Sequence, residues 1–407
     1  MTIKHIVIGG GGTTGFMSLG ALKCLEQAGF WNISNIKSVY GTSIGSVLAV
    51  SLALKYDWPT LTDYYVRRPW NKLYAYNRRD FLLNLYTQNG IFTAKIFEET
   101  LRPLMEGKDL TIASTMLELF EVTGIELHFF SLELNTMSKI DISHKTHPAL
   151  KVTEAVYMSA ACPILFTPHI VDKCCYVDGG LVCNYAVNEC IDGQRCELGE
   201  ILGMRNMFEH YADPVDGTTS VVNYFMTMYK QITMYVLNEQ AFKDIPNEVV
   251  CITDNSGTDF VKWIDALQPE SIEMLMNKGE AYAKLFMKYR GIANINRGGR
   301  GVIKKGEHTT NQRRNEGMMR GNEQSLTSDA CEGDSSINGD NNATVADADA
   351  DAGADAGADA GADAGADAGA DVDAVANTDT NINIIINTVN GSNHSHSHSD
   401  DNANDGV

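Results

Sequence analysis

Three clusters of residues in this 407-residue chain could carry chemistry. The first is Gly9-Gly10-Gly11-Gly12-Thr13-Thr14-Gly15, with a G-x-G-x-x-G at Gly10, Gly12 and Gly15. Where a strand feeds such a run and a helix leaves it, the first peptide N–H groups of the helix have no partner within it. They point outward and stabilise negative charge. The second is Gly41-Thr42-Ser43-Ile44-Gly45, a G-x-S-x-G that would hold Ser43 on a strained strand-to-helix turn. Glycine two residues to either side leaves room that a side chain would fill, and the helix that follows aims its N-terminal dipole at the serine oxygen. The third is Tyr176-Val177-Asp178-Gly179-Gly180. Asp-Gly most often closes a turn, but a carboxylate leaving a strand there could also accept a serine proton.

The elements that must position these residues can be read from periodicity. A strand at His5–Ile8 runs into the glycines, and a helix over about 13–28 carries Phe16, Leu19, Leu22 and Leu25 at three-residue spacing until Gly29 stops it. A second strand over 36–40, a tight turn at 41–45 and an apolar helix over 46–54 complete a βαβ unit, which implies a parallel sheet. Residues 60–120 read as mostly helical, 125–134 and 138–142 as strands, and 174–177 as a short strand ending at Asp178. Helical patterns fill 218–243 and 270–290. The fold class is α/β, with a central mainly parallel sheet flanked by helices and a helical C-terminal part. Residues 220–242, rich in Tyr and Met, read as a plain buried helix in preference to a lipid-facing one.

Both nucleotide readings of the glycine loop fail. A dinucleotide fold needs an acid at the end of the second strand to hold the ribose, and here that strand runs out in Tyr40-Gly41-Thr42-Ser43. A P-loop needs Gly-Lys-Ser/Thr, and Phe16 follows Gly15.

Taken together, the three clusters resemble the patatin-like phospholipases. That family has a glycine oxyanion loop at the first βα turn, a G-x-S-x-G nucleophile on the next strand and an Asp-Gly-Gly/Ala further on. The stretch Met158-Ser159-Ala160-Ala161-Cys162-Pro163-Ile164-Leu165-Phe166-Thr167-Pro168 and the Gly279-Glu280-Ala281 of the last helix are similar to the family as well. The likeness covers roughly residues 5–190 and implies acyl transfer by a Ser-Asp dyad without histidine. Ser43 would be nucleophile, Asp178 base and Gly10–Gly15 the oxyanion loop, with Gly41 and Gly45 in the elbow and Gly179 and Gly180 after the aspartate. Asn184 keeps its place after the Asp-Gly-Gly. Three positions depart from the pattern. Gly9 stands where an acid is common, and Ala186 where proline is usual. Thr14 stands where many members have Arg or Lys, which leaves the loop without a basic neighbour for an anionic head group.

Composition sets the limits around this reading. The net charge of −20 is concentrated in residues 321–407, which hold 18 acidic and no basic groups. Residues 297–320 carry seven basic and two acidic groups, without aromatic interleaving, and read as a solvated linker. The body, 1–296, is left at −7, so no nucleic-acid partner is implied. The four-residue Ala-Asp-Ala-Gly repeat from 350 places glycine too often for a helix and alanine where a core would need bulk, so disorder is expected. His394, His396 and His398 read as an adventitious metal binder, and no cofactor or metal is implied. Nine cysteines without a CxxC pair read as reduced thiols, Cys174-Cys175 among them as core. No signal peptide or membrane span is expected, which suggests a cytoplasmic protein with peripheral contact to membranes. The expected organisation is a catalytic domain over 1–195, a helical extension over 196–292 and a linker and tail over 293–407. The expected function is hydrolysis of a phospholipid or other acyl-ester lipid. A catalytically silent scaffold on the same fold is the alternative.

Overall fold

The computed structural model describes residues 2–75, 78–208, 214–239, 242–253 and 260–291. The basic linker, the acidic repeat and the histidines of the tail lie outside the described residues, and so do the expectations made for them. Strand β1 (His5–Ile8) leads to helix α1 (Gly15–Gln27), and β2 (Ser38–Thr42) leads to α2 (Ile44–Ala53). Helices α3 (Trp58–Arg67), α4 (Trp70–Leu73) and α5 (Arg78–Gln88) follow, then β3 (Gly90–Phe92), α6 (Lys95–Glu106) and α7 (Met116–Thr123). The hairpin β4 (Glu126–Glu133) and β5 (Ser138–Ile142) precedes α8 (Val152–Ala160), β6 (Ile164–Phe166), β7 (His169–Val171) and β8 (Cys174–Asp178). The chain continues through α9 (Val187–Gln194), β9 (Ile201–Phe208), α10 (Val221–Glu239), β10 (Glu248–Thr253), α11 (Phe260–Asp265) and α12 (Pro269–Tyr289).

The main sheet runs β10-β9-β1-β2-β4-β8-β7, with β5 paired to β4. The five strands from β10 to β4 are parallel, and β5, β8 and β7 add antiparallel pairings at one side. Side chains alternate between two buried faces. Ile6, Ile8, Val39 and Phe129 enter one core, while Val7, Tyr40 and Phe130 enter the other. A sheet covered on both faces explains why Ile6-Val7-Ile8 of β1 reads as a continuous apolar run. The expected α/β class with helices flanking a mainly parallel sheet holds.

Two features differ from the sequence reading. Residues 196–292 are not helical throughout: β9 and β10 extend the sheet beside β1. Helix α12 closes against α1 backbone to backbone. A Cβ on Gly20 would meet the Met276 carbonyl oxygen at 2.0 Å, and one on Gly279 the Met17 carbonyl oxygen at 1.9 Å. That contact is the physical reason for glycine in the Gly279-Glu280-Ala281 segment. Among the described residues no helix is long and apolar enough to cross a membrane.

Candidate active site

The carboxyl ends of β1, β2 and β8 converge, which is where open α/β sheets hold their ligands. Between β2 and α2 the chain turns at Ser43, whose φ of 56° and ψ of −124° lie outside the regions a side-chain-bearing residue favours. The turn closes so tightly that a Cβ on Gly41 would sit 2.4 Å from the Gly45 carbonyl oxygen, and one on Gly45 2.3 Å from that of Ile8. The G-x-S-x-G spacing is therefore a steric requirement. Neighbouring hydroxyls brace the turn: Ser159 Oγ accepts from the Ser43 amide at 3.1 Å, and Ser46 Oγ donates to the Ser43 carbonyl at 2.6 Å.

Ser43 Oγ donates to Asp178 Oδ2 at 2.6 Å, across 135 residues of chain. The other carboxylate oxygen, Oδ1, accepts from the Gly180 amide at 2.7 Å. Asp178 is 2% exposed, and burial pushes its pKa up to about 6, against the lowering pull of its Ser43 and Gly180 hydrogen bonds and of the nearby Tyr229 hydroxyl. It is ionised above that pH and poised to take a proton near neutrality.

The glycine loop divides into two parts. Gly11, Gly12 and Thr13 line the same cavity as Ser43 and Asp178, whereas Gly10, Thr14 and Gly15 do not. The amides of Gly9 and Gly10 are already used, donating to the carbonyls of Met204 at 2.9 Å and Asn184 at 3.0 Å. Donors for an oxyanion must therefore come from Gly11 onward. Thr14 serves the loop itself: its hydroxyl donates to the Gly11 carbonyl at 2.9 Å. Gly15 lets Ile44 pack close, since a Cβ there would meet Ile44 at 2.4 Å.

The cavity has a volume of about 160 Å³ and is mostly apolar, walled by rings such as Phe16, Trp70, Phe166 and Trp263. No histidine is among the described residues that line it. His169 lies on β7, with Nε2 3.0 Å from a Glu154 carboxylate oxygen, and does not line the cavity. His210 lies outside the described residues.

Several contributors were not legible as motifs. Asn206 on β9, 2% exposed, donates to the carbonyls of Gly9 at 3.1 Å and Gly10 at 3.3 Å and accepts from Ser18 Oγ at 3.1 Å. It holds the glycine loop from outside. Helix α10 walls the cavity with Met226, Tyr229, Lys230 and Thr233. The Tyr229 hydroxyl lies beside the aspartate: a Cβ on Gly180 would be 3.0 Å from it and 3.1 Å from Asp178 Oδ1. Lys230 is the one basic side chain among the described residues lining the cavity. A polar residue on a parallel interior strand, or facing inward from an apolar helix, has no local signal; only the tertiary contact marks it.

The patatin-like phospholipase family model matches residues 6–191. Residues 6–191 are a patatin-like phospholipase domain. The chain is 26% identical over 219 residues to an uncharacterised protein of Acanthamoeba polyphaga mimivirus, covering 53% of this chain and 69% of that one. It is also 26% identical over 191 residues to a probable lipid hydrolase of Invertebrate iridescent virus 6, covering 46% of this chain and 62% of the viral protein. Among solved structures it is similar to VipD from Legionella pneumophila, with 16% identity, a TM-score of 0.39 and coverage of 69% of this chain and 67% of VipD. The patatin-like domain and the iridescent-virus relative support a lipid hydrolase in general, and β9 and α10 lie beyond the matched residues.

Proposed function

We propose that the protein cleaves acyl esters of lipids, phospholipids among them, through a Ser43–Asp178 dyad and an acyl-enzyme intermediate. The observation that carries the reading is the 2.6 Å hydrogen bond from Ser43 Oγ to a buried carboxylate. In the first step Asp178 takes the Ser43 proton as Oγ bonds to the ester carbonyl carbon. The oxyanion faces the amides of Gly11, Gly12 and Thr13; a missing donor of this kind typically raises the barrier by about 3 kcal/mol. Collapse of the tetrahedral intermediate expels the alcohol, which receives the proton held by Asp178. Water then gives a proton to Asp178 and attacks the acyl carbonyl, and the fatty acid leaves as Ser43 regains its hydrogen.

Lys230 supplies, in this reading, the cation that the Thr14 position lacks, and suits a lipid with a phosphate near the scissile ester. The catalytic unit then runs from the N-terminus to α12 and not to residue 195, because Asn206 and α10 complete the site. A fluorophosphonate probe should label Ser43 in the full chain, and Ser43→Ala should abolish both labelling and ester hydrolysis with the fold intact. A folded alanine variant that keeps near wild-type turnover sinks the assignment.

A further inference from the structure

Helix α10 has its chemistry the wrong way round for a surface helix. Its inner face carries Thr227, Lys230 and Thr233, all buried, beside the cavity-lining Met226. Its outer face carries Val221 (64% exposed), Tyr224 (46%), Met228 (40%), Ile232 (44%) and Tyr235 (66%). The intervals of three, four, four and three residues put these five on one narrow stripe, about 21 Å long at the rise of an α-helix. No charged residue falls on the stripe, whereas an ordinary surface helix presents its charges outward. The cost of holding Tyr, Met and Ile in water implies that something covers them.

The occupant follows from what lies behind the stripe. The same helix, on its opposite face, walls the cavity that holds Ser43 and Asp178. Two helices packed beside α10 also expose apolar side chains. Helix α11 packs on it, with the Phe260 amide donating to Asn223 Oδ1 at 3.1 Å. Helix α5, joined to α11 through the Phe81 and Phe260 rings at 5.7 Å, exposes Leu83 (54%) and Tyr86 (88%). Tyr224 and Tyr235 on an uncharged stripe suit the interface of lipid head groups, where a ring can be half buried with its hydroxyl in water.

We propose that the outer stripe of α10 docks on an uncharged lipid surface, lying flat in the interface and bringing the cavity behind it to the lipid phase. The proposal rests on the hydrolase reading for its choice of lipid over protein. The bound helix inserts its stripe at the boundary of head groups and acyl chains, where affinity follows apolar area and not charge.

The test uses the full chain and vesicles of phosphatidylcholine alone. Wild-type protein should float with the vesicles and stay bound at about 0.5 M salt, where exposed charges are screened within a few ångströms. Met228→Asp with Ile232→Asp should lower vesicle partition by about tenfold or more, and hydrolysis of vesicle-borne lipid with it. Turnover of a soluble short-chain ester should stay within about twofold, since neither residue lines the cavity. Tyr224→Ser with Tyr235→Ser, a milder pair at the ends of the stripe, should give the same split if the aspartates disturb folding. Either pair binding vesicles like wild type, while folded, overturns the proposal. So does wild-type binding that needs anionic lipid and is lost in salt, which would give the role to the basic 297–320 segment. A wild-type dimer made monomeric by the stripe variants would show that a second copy covers the face, and would overturn it too. Intact vesicle binding without soluble-ester turnover would instead fault the dyad and leave the docking face standing.

Discussion

The segment 6–191 and the segment 201–289 contribute to the same cavity in different ways. In the proposed mechanism the first holds the reacting atoms: Ser43 Oγ, the Asp178 carboxylate and the amides after Gly10. The second has none of these, yet β9 fastens the loop through Asn206 and α10 closes the wall with Tyr229 and Lys230. The reacting atoms come from short local turns, where a few glycines fix the backbone. The supporting groups come from elements far along the chain that arrive through sheet pairing and helix packing. The patatin-like family model matches the first segment and ends before the second.

The sharpest way to break that comparison is Asn206→Ala. If the second segment only packs, this change should cost stability alone. The loop account expects more. Two loop carbonyls lose their buried donor, and kcat should fall by about 10²-fold with KM little changed, the signature of a weakened oxyanion site. Stability should drop by about 1–3 kcal/mol from the unpaired groups. A folded variant with wild-type kcat would return Asn206 to a packing role.

Lys230→Met separates binding from chemistry. Turnover of a phospholipid should fall by about tenfold, while a neutral acyl ester of equal chain length should be hydrolysed at close to the wild-type rate. Equal losses on both substrates would mean that Lys230 supports the wall and not the head group.

Tyr229→Phe should have the smallest effect and the most specific form. The Tyr229 hydroxyl lowers the Asp178 pKa, so its removal should raise it. In the proposed mechanism activity needs the ionised carboxylate and falls away below that pKa, so the acid limb of kcat/KM should move to higher pH, with the plateau largely kept. An unmoved limb with a lower plateau would indicate a steric role.

The two segments were unequally legible for physical reasons. The elbow at Gly41–Gly45 is readable because its chemistry lies in five consecutive residues that a strained φ at Ser43 and two close backbone approaches demand. Strand β9 was not. It is an interior parallel strand, so its buried residues do not alternate with polar ones, and Gly203, Arg205 and Asn206 argue locally for a turn. In α10 the helix was evident but its orientation was not. Both of its faces are apolar enough to bury, so periodicity favoured a fully buried helix; the structure instead leaves the stripe at Val221, Tyr224, Met228, Ile232 and Tyr235 exposed. The inward Lys230 and threonines could be placed only by the packing.

Asp178→Asn tests the central claim most directly, because asparagine keeps the size and the Gly180 contact but cannot take the serine proton. On a soluble ester kcat/KM should fall by about 10³-fold or more at every pH, while His169→Ala keeps most activity. The same variant should be more stable than wild type at pH 8. The folded pKa of about 6, raised from 3.8, means that the native state gives up its proton less readily than the unfolded chain. Ionisation therefore costs the native state about 3 kcal/mol at neutral pH, a cost that builds as pH rises from about 4 to 6 and is absent below. An inactive Asp178→Asn with a raised melting temperature at pH 8 and none at pH 4 is the expected result. A folded Asp178→Asn with near wild-type kcat/KM would contradict the dyad.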